Sequence, residues 1–202
     1  MAMSSDALGK AFSADPAPLG LSGFAMTTFL LSIFNAGLLT QGAGVVIPFA
    51  FAYGGTAQFV AGVFEMRRGN TFAFTAFCSY GAFWWFYALL FLFPAATVAP
   101  TAAAIGWALV IWGFFTLYMW AGAMHINLSL NLTFLFLWLA FFVLGYGAVY
   151  GSTSATHAGG YLGFLTAFFA AYTAFAIIVN SVWGKTIIPT GPGIGQAKTG
   201  GS

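Results

Sequence analysis

The sequence predicts an all-α integral membrane protein with six transmembrane helices and both termini in the cytoplasm. Three observations carry that prediction. Of 202 residues, 61% are hydrophobic and 4% are charged, against roughly 45–50% and 25% in soluble domains. No Asp, Glu, Lys or Arg falls between Pro16 and Phe64, nor between Gly69 and Gly184. All five basic residues, Lys10, Arg67, Arg68, Lys185 and Lys198, reach one side when the chain is folded into six spans. So few charges cannot clothe a soluble surface of this size. A cytosolic enzyme, a nucleic-acid binder and a disordered chain are thereby excluded, and phosphate binding would need more clustered cations than the Arg67-Arg68 pair.

Residues 1–19 form an N-terminal segment without the basic stretch and short apolar core of a cleavable signal peptide. Residues 20–184 form the six-helix transmembrane domain. Residues 185–202, Gly-rich from Thr190 onward, read as a flexible tail. The first helix is predicted over Gly20–Leu39, with Asp15 as its cap, Pro16 at its first position and Pro18 tolerated in the first turn. Thr28, Ser32 and Asn35 share one of its faces. Gln41–Gly44 leads to the second helix, Val45–Met66, where Gly55, Gln58, Gly62 and Glu65 share a face. In the turn Arg67-Arg68-Gly69-Asn70, Gly69 ends that helix and Asn70 caps the next. The third helix, Thr71–Phe93, stacks Thr71, Thr75 and Ser79. It also carries Trp84 and Trp85 too deep for an interfacial aromatic belt.

The link Pro94–Pro100 opens onto the fourth helix, Ala102–Ala123. His125–Ser129 then joins it to the fifth, Leu130–Tyr150. Gly151–Ala158 leads to the sixth, Gly159–Trp183, which starts with the close-packing pair Gly159/Gly163 and repeats Thr166, Thr173 and Asn180 every seven residues. Each segment has the roughly 20 residues that cross a hydrocarbon core, and none shows the alternation of a membrane strand. With six spans, the positive-inside rule places the termini and all five cations in the cytoplasm. The predicted location is the plasma membrane, in a multi-pass arrangement within the lipid bilayer.

The polar stripes have two readings. Hydroxyls and amides can bond across helices, each contributing about 0.6 kcal/mol, or they can line a wet path. Gln58 and Asn35 favour the second more than any single Ser or Thr does, because an amide in hydrocarbon needs several partners. Glu65, near the cytoplasmic end of the second helix, reads as an exposed ion pair with Arg67 or Arg68, or as a brace or proton-sensitive group at an inner vestibule. No catalytic set converges, so the chain is predicted not to be an enzyme and to need no cofactor. Cys78 stands alone as a small buried hydrophobe, and His125 and His157 lie in loops on opposite sides without partners at metal-ligand spacing.

Asp15-Pro16-Ala17-Pro18-Leu19-Gly20-Leu21 resembles the NPAPLGL signature of the acetate uptake transporter family, the succinate–acetate permease group, with Asp15 where the family has Asn. The resemblance continues through Tyr53-Gly54-Gly55-Thr56-Ala57-Gln58, Gly69-Asn70-Thr71-Phe72, Ser79-Tyr80-Gly81 and Phe83-Trp84, and more loosely through Trp112-Gly113 and Phe115-Thr116-Leu117. It implies a homo-hexamer in which each protomer has its own pore for acetate and related small carboxylates such as succinate. It also implies an apolar ring at Phe24, Tyr80 and Leu137. The substrate pathway then comprises Phe24, Thr28, Ser32, Asn35, Gln58, Ser79, Tyr80 and Leu137. The alternative is a neutral small-solute channel of urea, water or glycerol type. Pro-Ala within the signature is similar to the aquaporin motif, although a second such motif is missing.

Overall fold

The computed structural model describes residues 14–92 and 100–195. Asp6, Lys10, Lys198 and most of the Pro94–Pro100 link lie outside the described residues. Six helices are long and apolar enough to cross a membrane: α1 (Ala17–Asn35), α2 (Ala43–Arg67), α3 (Thr71–Leu92), α4 (Ala102–Ala123), α5 (Leu128–Tyr150) and α6 (Thr153–Trp183). Among the described residues, extended pairing is limited to an isolated bridge between Asn127 and Pro192.

Chain order is also ring order. α1 packs between α6 and α2, α2 against α3, and α5 between α4 and α6, while α3 and α4 close the ring through much sparser contact. Lipid is as apolar as Leu, so close approach rather than hydrophobicity holds such helices together. The expected Gly159/Gly163 pair shows this: a Cβ on Gly163 would strike the Ser32 hydroxyl of α1, and one on Gly159 would strike Leu144 of α5. Trp107, Ile111, Phe114 and Tyr118 form an exposed apolar stripe on the outside of α4.

Capping side chains set most boundaries. Asn70 Oδ1 accepts from Ala73 N at 3.1 Å as expected, and Gly69 ends α2 at φ +74°. Asn127 Oδ1 accepts from Leu130 N at 2.8 Å, which starts α5 at Leu128 rather than Leu130. Ser152 Oγ accepts from Ala155 N and starts α6 six residues before Gly159. His157 therefore sits on a helix rather than in a loop. At α1 the cap position is Pro16, not Asp15. The Asp15 carboxylate instead reaches past it to accept from Ala17 N at 3.0 Å, so residues 17–19 belong to the first helix. That helix stops at Asn35 rather than Leu39, where the chain turns through Gly37 at φ +72°.

α2 is not a uniform helix. A 3-10 turn at Ala43–Val45 and an α-helical turn at Val46–Phe49 precede a π-helical stretch, Ala50–Ala57, and α-helix resumes at Gln58–Arg67. π-Segments cluster at functional sites because they re-aim the side chains that follow.

Residues 185–195 do not behave as the flexible tail expected from Lys185 onward. They fold back along the end of the bundle. Asn180 Oδ1 accepts from Ile187 N and Ile188 N, and its Nδ2 donates to the Ile188 carbonyl. Tyr172 donates to the Pro189 carbonyl at 2.6 Å, Ser129 N to the Thr190 carbonyl and Ile194 N to the Met124 carbonyl. Asn180, expected in a polar stripe, thus serves as the anchor of this strap.

Candidate functional site

Two cavities lie inside the helix ring, one from each end. The first, about 320 Å³, opens where α1 begins and α6 ends. Its walls include Leu21, Gln58, Asn70, Asn127, Thr133 and Thr173. The second, about 230 Å³, lies toward the opposite end. Its walls include Thr28, Ser32, Asn35, Trp84, Phe141 and Thr156. Phe24 of α1 and Leu137 of α5 line both. Tyr80 of α3 lines the first and places its ring 5.7 Å from that of Phe24. The three residues expected to form an apolar ring are therefore brought together between the two cavities.

Further aromatic rings hold this waist. Tyr80 lies 5.4 Å from Phe115, 6.0 Å from Trp112 and 6.1 Å from Phe134, centroid to centroid. Phe83 lies 5.2 Å from Phe141. Such tilted and edge-on pairs resist displacement more than aliphatic packing of equal area does.

The expected polar residues divide by what their atoms are already doing. Thr28, Ser32 and Asn35 share the far cavity, as their spacing predicts. Ser32, however, donates to the Thr28 carbonyl at 2.7 Å, which commits its only proton. The Tyr80 hydroxyl donates to Thr116 Oγ1 at 3.0 Å and is likewise unavailable as a donor. Ser79 lines neither cavity: its neighbour Tyr80 points inward, and successive helical residues point about 100° apart. What remains uncommitted is informative. Thr28 Oγ1, Gln58 Oε1 and Trp84 Nε1 are buried without a hydrogen-bond partner, and each belongs to a cavity wall. Buried polar atoms are ordinarily satisfied, so these three mark where water or a polar solute completes the structure.

Trp84 was not among the expected site residues. Its depth, which the aromatic belt could not explain, was the available signal. Asn70, Asn127, Thr133 and Thr173 also line the first cavity without having been assigned to it. The sequence reads Asn70 as a cap and Asn127 as a loop residue; in the structure each caps a helix and also lines this cavity. Of the predicted face on α2, Gly55, Gln58, Gly62 and Glu65 are all buried, but only Gln58 reaches a cavity wall.

Glu65 is not the exposed ion-pair partner that was one of its two readings. It is 1% exposed, and neither carboxylate oxygen has a hydrogen-bond partner. The Arg68 guanidinium comes to 3.9 Å, close enough for attraction and too far for a hydrogen bond. Arg68 is drawn instead to Asp15, at 2.6 Å. Among the described residues, no three His, Cys, Asp or Glu side chains converge as metal ligands would.

The sequence model of the GPR1/FUN34/yaaH family matches residues 5–191. The succinate-acetate/proton symporter SatP of Escherichia coli strain K12 is 38% identical over 186 residues, covering 91% of this chain and 98% of its own. Acetate permease A of Emericella nidulans is 40% identical over 196 residues, covering 87% of this chain and 65% of that longer protein. Among solved structures, that of the bacterial acetate channel SatP superposes with a TM-score of 0.85 at 39% identity. It covers 89% of this chain and 99% of that one.

Proposed function

The chain belongs to the GPR1/FUN34/yaaH family, and from that premise we propose that it is a multi-pass membrane transporter for acetate and related small carboxylates, succinate among them. It moves its substrate without altering it. The observation that carries this reading is the pair of cavities meeting at Phe24 and Leu137 within a single ring of helices, so that one protomer holds a whole path. The homo-hexamer implied by the sequence resemblance would then carry six such paths, with faces such as the outer stripe of α4 turned to lipid or to a neighbouring protomer.

The path has to accommodate an anion without a fixed cation, since no Lys or Arg lies within any of the long uncharged runs. A charge at mid-membrane costs at least ~2.5 kcal/mol on insertion scales. Protonated acetic acid would avoid that cost. With a carboxyl pKa of about 4, like those of Asp and Glu, it is scarce at neutral pH. Neutral donors therefore replace the water shell: the Thr28 hydroxyl, the Trp84 indole N–H and the Asn35 amide in one cavity, and the Gln58 amide in the other. The waist of Phe24, Tyr80 and Leu137 passes the methyl group and limits solute width. With the termini in the cytoplasm, the Gln58 cavity faces inward and the Thr28–Trp84 cavity faces outward.

The absence of a cation from both cavity walls also favours a second reading, a channel for neutral solutes such as urea. Flux into liposomes containing the purified protein separates the two. Labelled acetate is expected to enter faster than in protein-free liposomes while urea does not. Urea entry without acetate entry would establish the second reading instead.

A further inference from the structure

We propose that Thr116, on α4, is the positioning residue that holds the Tyr80 ring across the waist and so sets which carboxylates pass. The inference rests on the reading of Phe24, Tyr80 and Leu137 as the constriction. The Tyr80 hydroxyl lies 3.0 Å from Thr116 Oγ1, and Thr116 Oγ1 lies 2.7 Å from the Trp112 carbonyl one turn earlier on the same helix. A threonine hydroxyl has one proton and two lone pairs. A carbonyl can only accept, so that proton goes to Trp112 and Thr116 must accept from Tyr80. The chain of bonds therefore runs one way, from phenol to threonine to backbone.

Several features make this acceptor decisive. Thr116 is wholly buried and Tyr80 is 3% exposed. The Tyr80 ring is packed among those of Phe24, Trp112, Phe115 and Phe134, and Thr116 is the acceptor its hydroxyl has found. Thr116 is β-branched and bonded back to its own helix, so its oxygen has little freedom to move. The bond also ties α3 to α4 at the sparsest seam of the ring, where backbone packing alone positions the two helices least firmly. Because the hydroxyl is turned to Thr116, Tyr80 presents ring carbon to the path. Its contribution is width rather than hydrogen bonding to the carboxylate.

Removing the acceptor leaves a buried phenol seeking another partner, and the accessible ones are water or solute in the path. The ring should then swing, altering width. The test is the ratio of acetate to butyrate uptake by proteoliposomes, with oligomeric state checked by size-exclusion chromatography. Thr116→Val, of the same shape, is expected to change the ratio by about threefold or more, as coupled neighbours do. Thr116→Ser, which keeps the acceptor, should retain the wild-type ratio. In a Tyr80→Phe background Thr116→Val should have no further effect, because the donor is gone. If Thr116→Val does not assemble, Thr116→Ala is compared with Thr116→Ser in the same way. A wild-type ratio in a well-assembled valine or alanine variant overturns the proposal. So does an equal change in the Tyr80→Phe background. Phe24→Ala is the control for the constriction itself. If it alters the ratio while Thr116→Val does not, only the role of Thr116 falls; if neither does, the constriction falls as well.

Discussion

Arg68 and Asp15, 53 positions apart, meet at 2.6 Å and join the end of α2 to the start of α1. The same Asp15 oxygen also accepts from Ala17 N at 3.0 Å. One carboxylate thus fastens the first turn of α1 and the last of α2, on either side of the cavity that contains Gln58. This gives the signature segment a physical purpose, because its two prolines preset the backbone that enters α1 while Asp15 sets where that entry sits.

Asp15→Asn separates these duties. An amide oxygen still accepts from Ala17 N, while the ion pair is lost. Both partners are more than a third exposed, so solvent screening leaves the pair about 0–1 kcal/mol. The expected outcome is an intact, active oligomer whose melting temperature in detergent falls by at most a few degrees, with the difference shrinking at high salt. Asp15→Ala also removes the acceptor at the helix start and should cost about 1 kcal/mol more. Equal stability of the two variants would mean that the contact to Ala17 contributes nothing.

Among the described residues Glu65 is the one buried carboxyl, and its burial sets up a second test. Its oxygens lack hydrogen bonds, and its nearest cation, Arg68, is engaged by Asp15. Glu65→Gln keeps the shape and removes the titration. Acetate uptake by the variant is expected to show an altered pH dependence, with assembly unchanged. A wild-type pH profile in a well-assembled variant would leave Glu65 with a structural role only.

The positive-inside argument bears on orientation, and surface labelling checks it. In a Cys78→Ala background, Ser154→Cys lies exposed at the start of α6 and Lys185→Cys lies exposed past its end. An impermeant thiol reagent applied to intact cells is expected to label the first and not the second. The opposite pattern would invert the protein and exchange the inner and outer cavities.

The number of helices and the order of their polar stripes were legible because uncharged runs and short breaks record them directly. α4 begins and ends where its breaks predict, at Ala102 and Ala123. The destination of individual hydroxyls was not legible. The spacing places Ser32 on the path, yet its proton goes to the Thr28 carbonyl, and back-bonding to the previous turn leaves no trace in residue spacing. The Tyr80–Thr116 bond depends on which helices close the ring, and heptad or 3.6-residue spacing within one helix cannot show that. Glu65 has two readings in the sequence, an exposed ion pair suggested by Arg67 and Arg68 close by, or a brace or proton-sensitive group at an inner vestibule. A helix end can nevertheless be covered by what packs over it, and here its inward face was the stronger guide. The depth of Trp84 is legible as too great for an interfacial belt, but its unpartnered N–H emerges only once the helices are packed.

The waist and the donors around it yield the last prediction, in which two kinds of variant should move flux in opposite directions. Phe24→Ala or Leu137→Ala removes apolar bulk where the two cavities meet. Either is expected to raise acetate flux or to admit longer carboxylates that the wild type excludes. Trp84→Phe and Thr28→Val keep ring or branch but remove the polar atom that stands unpartnered in the far cavity. Gln58→Leu removes, on the other side, an amide whose Nε2 can donate to a carboxylate and whose unpartnered Oε1 can accept from its water. A hydrogen bond to a charged group contributes about 1.5–3 kcal/mol, so losing one at the highest point of the barrier should slow acetate tenfold or more, at 1.4 kcal/mol per factor of ten. The oligomer should persist in every case, because each of these side chains faces the interior of the ring. Measuring initial rates for acetate and for a longer carboxylate in the same proteoliposome preparations distinguishes width from solvation. A width change alters the ratio of the two rates, whereas a lost donor lowers both together. If the alanine variants assemble normally and keep wild-type rates and ratios, the narrowing lies elsewhere than at Phe24 and Leu137. If the donor variants do so, acetate crosses with its water shell retained.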